Sequence, residues 1–352
     1  MEVKDMARRI LIALGGNALK QAHEAGTTQE QFKNAYITAR AIVDLMGTLE
    51  GEDDRVAMTH GNGPQAGNLL IQQEEATKLV PAQDFDVVGA MTQGQIGYTL
   101  QQAIQNTMLD LPPGDWRREM GEKGLVFGVV NQVLVDINDP DFLDPTKPVG
   151  NFFTKGEAED LVKTKGYVLN PPPGKEYLEK KMMGFVIKQV KPESVERRFR
   201  RVVPSPDPIK NVEGAALKGM LDIGYLIIGS GGGGIPVVMD KGKLKGVFAV
   251  IDKDLAGERM GEAIGANEFY ILTDIDRARL NFGKPNEKPI DHMDIDEAKK
   301  WLAEGHFLQG SMYTKVKACI RFLEWGGLKA RIGHLEQAKE VIAGVKGTEV
   351  YK

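Results

Sequence analysis

The chain is expected to fold as an α/β protein around a mostly parallel sheet, with an arm inserted near its middle. Three observations predict this. Short apolar runs alternate with segments of helical spacing. Glycine loops follow several of the apolar runs. The alternation then lapses over residues 138–205, where "NDPDFLDPTKPVGNFF", "NPPPG" and "RRVVPSPDP" are rich in proline.

The elements follow in order. Residues 8–14, within "RRILIALGG", read as a short buried strand. In "QFKNAYITARAIVDLMGTLE", apolar residues fall at 32, 35, 39, 42, 43, 46 and 49, which is helical spacing. "RVAMTHGNG" is a second strand ending in a glycine loop. Residues 88–109 form another amphipathic helix through Ile96, Leu100, Ala103 and Ile104. "GLVFGVVNQVLVD" reads as a third strand. Between Lys175 and Arg201 the arm carries many lysines and arginines and fewer acids. It reads as a small subdomain or as a solvated surface excursion.

Beyond the arm the alternation resumes. "VEGAALKGMLDIG" is a helix and "YLIIG" a strand. "IPVVMDKGKLKGVFAVID" has the pattern of a hairpin, two apolar runs about an Asp-Lys-Gly turn. "DLAGERMGEAIGA" is a helix and "EFYILTD" a strand. "KVKACIRFLEWGG" is a helix closed by glycine. "KARIG", "LEQAKEVIAG" and "GTEVY" supply strand, helix and strand. The chain therefore reads as one large domain with halves 7–137 and 206–352, interrupted by the arm.

Composition narrows the function. A net charge of −4 lacks the footprint of a nucleic-acid binder. One cysteine, Cys319, permits no internal disulfide and suits a reducing cytoplasm. It lies in a helical pattern and reads as a core thiol. No long apolar run suggests a signal peptide or membrane span. The five histidines show no metal-ligand spacing.

In open α/β sheets, ligands bind beyond the carboxyl ends of the strands. Glycine loops stand at three such ends: Gly15-Gly16-Asn17, Gly61-Asn62-Gly63 and Gly231 to Gly234. Their bare N–H groups suit an anion. Gly229, Gly231 and Gly234 satisfy G-x-G-x-x-G, but Ile235-Pro236-Val237-Val238 and a hairpin turn follow where a dinucleotide site requires a helix. No P-loop motif occurs. The remaining chemistry is charge: Lys147, Lys253 and Lys315 each lie in a loop beside an element end. Asp252 and Asp254 flank Lys253, where they can hold it, orient loop N–H groups or carry Mg²⁺. Asp254 also suits the N-cap of the helix that follows. Lysines around an anion site suit phosphoryl transfer, which needs positioning and positive charge more than covalent help.

Together "IALGGNAL", "THGNGPQAGNLL", "NDPDF…PTKPVG", "RRVVPSPDP", "SGGGGIPVV", "AVIDKDLAGE", "LTDIDRA" and "EGHFLQGSM" resemble the carbamate kinases of the amino acid kinase family, over nearly the whole chain. The resemblance implies a three-layer αβα sandwich with an open, mainly parallel sheet, a protruding subdomain over the site, and a homodimer. It implies reversible Mg²⁺-dependent transfer between ATP and carbamate, giving ADP and carbamoyl phosphate, often run toward ATP in arginine or purine breakdown. It assigns Gly15, Gly16 and Asn17 to the transferred phosphoryl group, and Gly61, Asn62 and Gly63 to the carbamate side. Lys147 would reach the carbamoyl phosphate from the protruding subdomain. Lys253 would stabilise charge between the two oxygens, Asp254 would organise the lysines, and Lys315 would contact nucleotide phosphates. Gly232, Gly233 and Gly234 would let backbone approach the substrates. Thr273, Asp274, Ser311 and Met312 would line the nucleotide pocket.

Some positions depart from the family pattern. Tyr313-Thr314 stands where a Gly-Pro is usual, Asn131 where a threonine is usual, and the segment 167–201 is longer than usual. These departures keep two other readings open: a nucleotide-binding paralogue with a regulatory or assembly role, and a kinase of another small carboxylate.

Overall fold

The computed structural model describes residues 6–15, 24–174, 186–307 and 311–352. Its centre is the strand Arg9–Leu14, which pairs in parallel with Arg55–His60 on one side and Glu268–Thr273 on the other. Beyond Arg55–His60 lie Leu226–Ile228 and then the edge strand Val126–Gly128, both parallel. Beyond Glu268–Thr273 lies Lys329–His334, also parallel. Thr348–Tyr351 then turns antiparallel, with His292–Asp294 at the far edge.

These strands are apolar on both faces because both faces are covered. Side chains alternate across a strand, and a parallel sheet enclosed by helices needs both sets apolar. Leu11, Ala13, Ile227, Phe269 and Ile271 pack on one side, in a core shared with the helices Gly214–Asp222, Lys253–Ile264 and Met312–Trp325. Ile10, Ile12, Leu14, Met58 and Tyr270 pack on the other, in a core shared with Thr28–Met46 and Phe85–Leu109. The result is the expected αβα sandwich. Each fully buried Leu or Ile contributes about 1.5–3 kcal/mol to such a core. Cys319 belongs to the first core, is fully buried, and burial pushes its thiol far above the ordinary range.

Local chemistry sets the element ends. Thr27 and Glu30 form a capping box at the start of Thr28–Met46. The expected hairpin forms between Ile235–Asp240 and Lys243–Gly246. Its two turn residues, Lys241 and Gly242, both have positive φ, as a tight hairpin matched to strand twist requires.

One expectation needs correction. "GLVFGVVNQVLVD" is two strands, Val126–Gly128 in the main sheet and Gln132–Val135 in a second sheet. The chain leaves the first sheet at Gly128, and the intervening Asn131 is buried in polar contacts rather than paired in a ladder. The helix Gln65–Ala76 went unrecognised. Its buried positions include Gln65 and Gly67, which dilute the apolar period.

The second sheet orders Lys243–Gly246, Ile235–Asp240, Gln132–Val135 and Pro208–Asn211. The arm forms a third, of Lys147–Phe153, Phe199–Val203, Val186–Gln189 and Val168–Leu169, beside the helix Lys155–Lys165. Ala158, Tyr167, Ile187 and Phe199 give it a small core of its own. Part of the basic stretch, residues 175–185, lies outside the described residues.

Candidate active site

The strands Arg9–Leu14, Arg55–His60, Leu226–Ile228 and Glu268–Thr273 end on one side of the main sheet, and the loops after them border a cleft of about 440 Å³. Gly15, Gly61, Asn62, Gly63, Gly232, Thr273 and Asp274 line it from the strand ends. Lys253 and Asp254 line it from one helix, Ser311 and Lys315 from another helix and its N-cap, and Lys147 from the arm. Gly16 and Asn17 lie outside the described residues. Met312 is buried and borders a small apolar cavity beside Ser311 and Ile275.

The cleft floor is an ionic cluster. Asp254, 1% exposed, accepts from Lys315 Nζ at 2.7 Å and Lys253 Nζ at 3.1 Å, both on Oδ2. Burial alone would raise the Asp254 pKa, but the two ammonium groups hold it well below the usual carboxylate range. Lys253 feels burial downward, and Asp254 and Asp252 upward, with a raised balance. For Lys315, nearly enclosed, burial prevails and the pKa is lowered despite Asp254. A stable trio of this kind survives burial only because charge and geometry are matched.

Helix capping explains how Asp254 is released for this task. The N-cap of Lys253–Ile264 is Asp252, whose Oδ1 accepts from the Asp254 N–H at 3.0 Å. Capping therefore falls to Asp252, not to Asp254 as expected. The other oxygen of Asp252 accepts from Lys147 Nζ at 2.9 Å, tying the arm to the cleft floor. Tyr313 and Thr314 do not displace Lys315: they lie in the first turn of Met312–Trp325, and Lys315 reaches Asp254 from there.

The four-glycine run meets protein on most sides. A Cβ on Gly231 would sit 2.3 Å from His60 Nε2. Burial pushes the His60 imidazole down to about 4, so it is neutral near physiological pH. Gly233 has φ +97°, and a Cβ there would sit 2.2 Å from the Ile251 carbonyl oxygen. Gly234 abuts Val133. Of Gly232–Gly234, Gly232 lines the cleft, and the missing side chain of Gly233 lets Ile251, and hence Asp252, approach the turn. Gly233→Ala is expected to cost on the order of 3 kcal/mol through backbone strain and overpacking. Urea unfolding checks this, and a loss under about 1 kcal/mol would contradict the close contact.

Sequence reasoning missed the polar network beneath this turn. Ser230, buried with φ +49°, takes its N–H to Asn131 Oδ1 at 2.6 Å, and its hydroxyl accepts from Asn211 Nδ2 at 2.7 Å. Gln93 Nε2 donates to the carbonyls of Asn131 and Gly231 at 3.1 and 3.0 Å. Thr92 Oγ1 donates to Asn62 Oδ1 at 2.7 Å, and Asn62 Nδ2 to the Gly232 carbonyl at 3.3 Å. The one available signal was a Thr-Gln pair on the inward side of an amphipathic helix.

A model described as the amino acid kinase family matches residues 175–334. A carbamate kinase of Thermococcus kodakarensis is 44% identical over 98% of this chain and 99% of its own length. The chain belongs to the carbamate kinases, within the amino acid kinase family. A second carbamate kinase, from Pyrococcus furiosus, is 42% identical with the same coverage. The solved structure of carbamate kinase from Giardia lamblia bound to AMP-PNP is 34% identical, with a TM-score of 0.78 over 98% of this chain and 99% of that one. This carbamate kinase fold is thus an enzyme's, a kinase of the carbamate type. Among the described residues no helix is long and apolar enough to cross a membrane.

Proposed function

We propose that the enzyme transfers the phosphoryl group of carbamoyl phosphate to ADP, with Mg²⁺, as its main working direction, draining carbamoyl phosphate made in arginine or purine catabolism. The observation that carries this reading is the pair of lysines, from two helices, sharing one buried carboxylate at the cleft floor.

The chemistry explains why lysines suffice. A β-phosphate oxygen of ADP attacks phosphorus, the bond from phosphorus to the carbamoyl oxygen breaks, and carbamate leaves with the electron pair. Nucleophile and leaving group are both anions, so no proton need move. The barrier is repulsion among negative oxygens, which fixed cations in a cleft relieve. In this reading Lys253 serves both bridging oxygens, Lys315 the nucleotide side and Lys147 the carbamoyl side. Asp254 fixes the two floor lysines. Gly15, Gly16, Asn17, Gly61, Asn62 and Gly63 would cradle the transferred group and the carbamate. Gly232, Thr273, Asp274, Ser311 and Met312 border or adjoin the nucleotide.

Mg²⁺ fits as an ion carried with the nucleotide. No three His, Cys, Asp or Glu side chains converge as a metal site among the described residues. One or two carboxylates plus phosphate oxygens are the usual Mg²⁺ set. Asp252 and Asp274 are the cleft-wall carboxylates outside the Asp254 cluster, and would be the ones to hold such an ion. Bound there, the ion would offset phosphate charge. The resemblance also supports a homodimer, and a single buried cysteine fits a reducing cytoplasm.

The test runs the reaction in reverse. With ATP radiolabelled in its γ-phosphoryl group, Mg²⁺ and ammonium carbamate, label is expected in an acid-labile product. Labelled product from acetylglutamate or aspartate, and none from carbamate, would instead identify a kinase of another carboxylate.

A further inference from the structure

We propose that Arg200, on the arm, is a substrate-contacting residue that grips the phosphate of carbamoyl phosphate. This rests on the reading above and adds a residue to it. Arg200 lines the cleft, half-buried, on the strand Phe199–Val203. Its Nε and Nη2 both donate to the Gly150 carbonyl, at 2.9 and 2.7 Å, and its guanidinium lies 4.6 Å from the Phe152 ring centroid. Its other N–H groups have no acceptor among the described residues.

What sets Arg200 apart is charge balance. Lys147 is paired with Asp252, and Lys253 and Lys315 share Asp254. Arg200 has no carboxylate partner among the described residues, and burial alone acts on its ionisation, pushing its pKa down. A half-buried cation held only by a carbonyl and a ring is costly unless an anion visits it. Arg201, the next residue, shows the contrast. It points to the other face of the strand, is buried, and is paired with Glu74 and Tyr167.

The backbone is shaped for this placement. The register between Lys147–Phe153 and Phe199–Val203 slips between Val149 and Phe152, and Gly150 within that bulge has φ +71°. Bulges re-aim side chains beside active sites. Here the bulge presents the Gly150 carbonyl to Arg200 and leaves part of the guanidinium fork for a ligand. A planar fork suits phosphate in a way a lysine does not.

Steady-state kinetics of ATP formation by Arg200→Met and Arg200→Lys test the assignment. Arg200→Met is expected to raise KM for carbamoyl phosphate about 10- to 100-fold, the usual worth of a charged hydrogen bond, with KM for ADP unchanged. Arg200→Lys, which keeps the charge and loses the fork, is expected to fall between. An unchanged KM for carbamoyl phosphate, or an equal rise for ADP, would overturn it. Calorimetric titration with carbamoyl phosphate separates this from the kinase reading. Wild-type protein that binds the anion but forms no ATP defeats the kinase reading alone. Equal binding by wild type and Arg200→Met, with matching thermal unfolding, defeats the Arg200 assignment alone.

Discussion

Lys253→Ala is expected to lower kcat for phosphoryl transfer by about 10³-fold, with a much smaller change in KM for ADP. Removing one preorganised donor aimed at transition-state charge costs about 10²–10³-fold, and a cation placed on a transferring phosphoryl group is worth more. Lys253 is held by Asp254 at 3.1 Å, and its pKa is raised, so it is charged throughout the working range. An interaction made chiefly in the transition state appears in kcat and kcat/KM together, not in KM. Single-turnover kinetics with saturating ADP read this directly. A fall in affinity with kcat intact would place Lys253 among ground-state contacts.

Asp254→Asn is expected to destabilise the fold by about 3–5 kcal/mol, the cost of leaving a buried ion cluster without its counter-charge. The carboxylate is 1% exposed and holds Lys315, itself buried, at 2.7 Å. Activity should fall as well, since both lysines lose their anchor. Urea unfolding of the variant measures the loss. Adding Lys315→Met should recover part of it, because the uncompensated charge is then removed, and a double-mutant cycle isolates that coupling. A loss below about 1 kcal/mol would mean that solvent reaches the cluster. The sign with pH follows from Asp254. Its folded pKa is depressed, so its stabilisation is present above the ordinary carboxylate range and is lost on strong acidification.

The parts of the fold carried by local pattern were legible in the sequence. "RILIAL" and "EFYILT" are apolar at every interior position because both sheet faces are covered, and Lys241-Gly242 announces its own turn. Strand-end glycines and the Asp252-Lys253-Asp254 triplet pointed to the cleft, because loops after parallel strands converge by topology. The unread features depend on partners far apart in sequence. Asn131 breaks "GLVFGVVNQVLVD" because Gln93 and Ser230 bond to it. The sequence also does not reveal that Ile251 and Val133 close on Gly233 and Gly234, because bare backbone looks the same whether protein or ligand approaches it. Arg200 and Arg201 are indistinguishable in "RRVV", and Tyr167 with the carboxylate of Glu74, on the helix Gln65–Ala76, separates them.

The most direct test of the central claim, that the lysines around Asp254 stabilise direct phosphoryl transfer from carbamoyl phosphate to ADP, is ATP formation from ADP, Mg²⁺ and carbamoyl phosphate by the purified protein, with Lys253→Ala as control. The structure predicts rapid ATP release that needs Mg²⁺ and vanishes in the variant. Folded wild-type protein that binds ADP yet forms no ATP would contradict it.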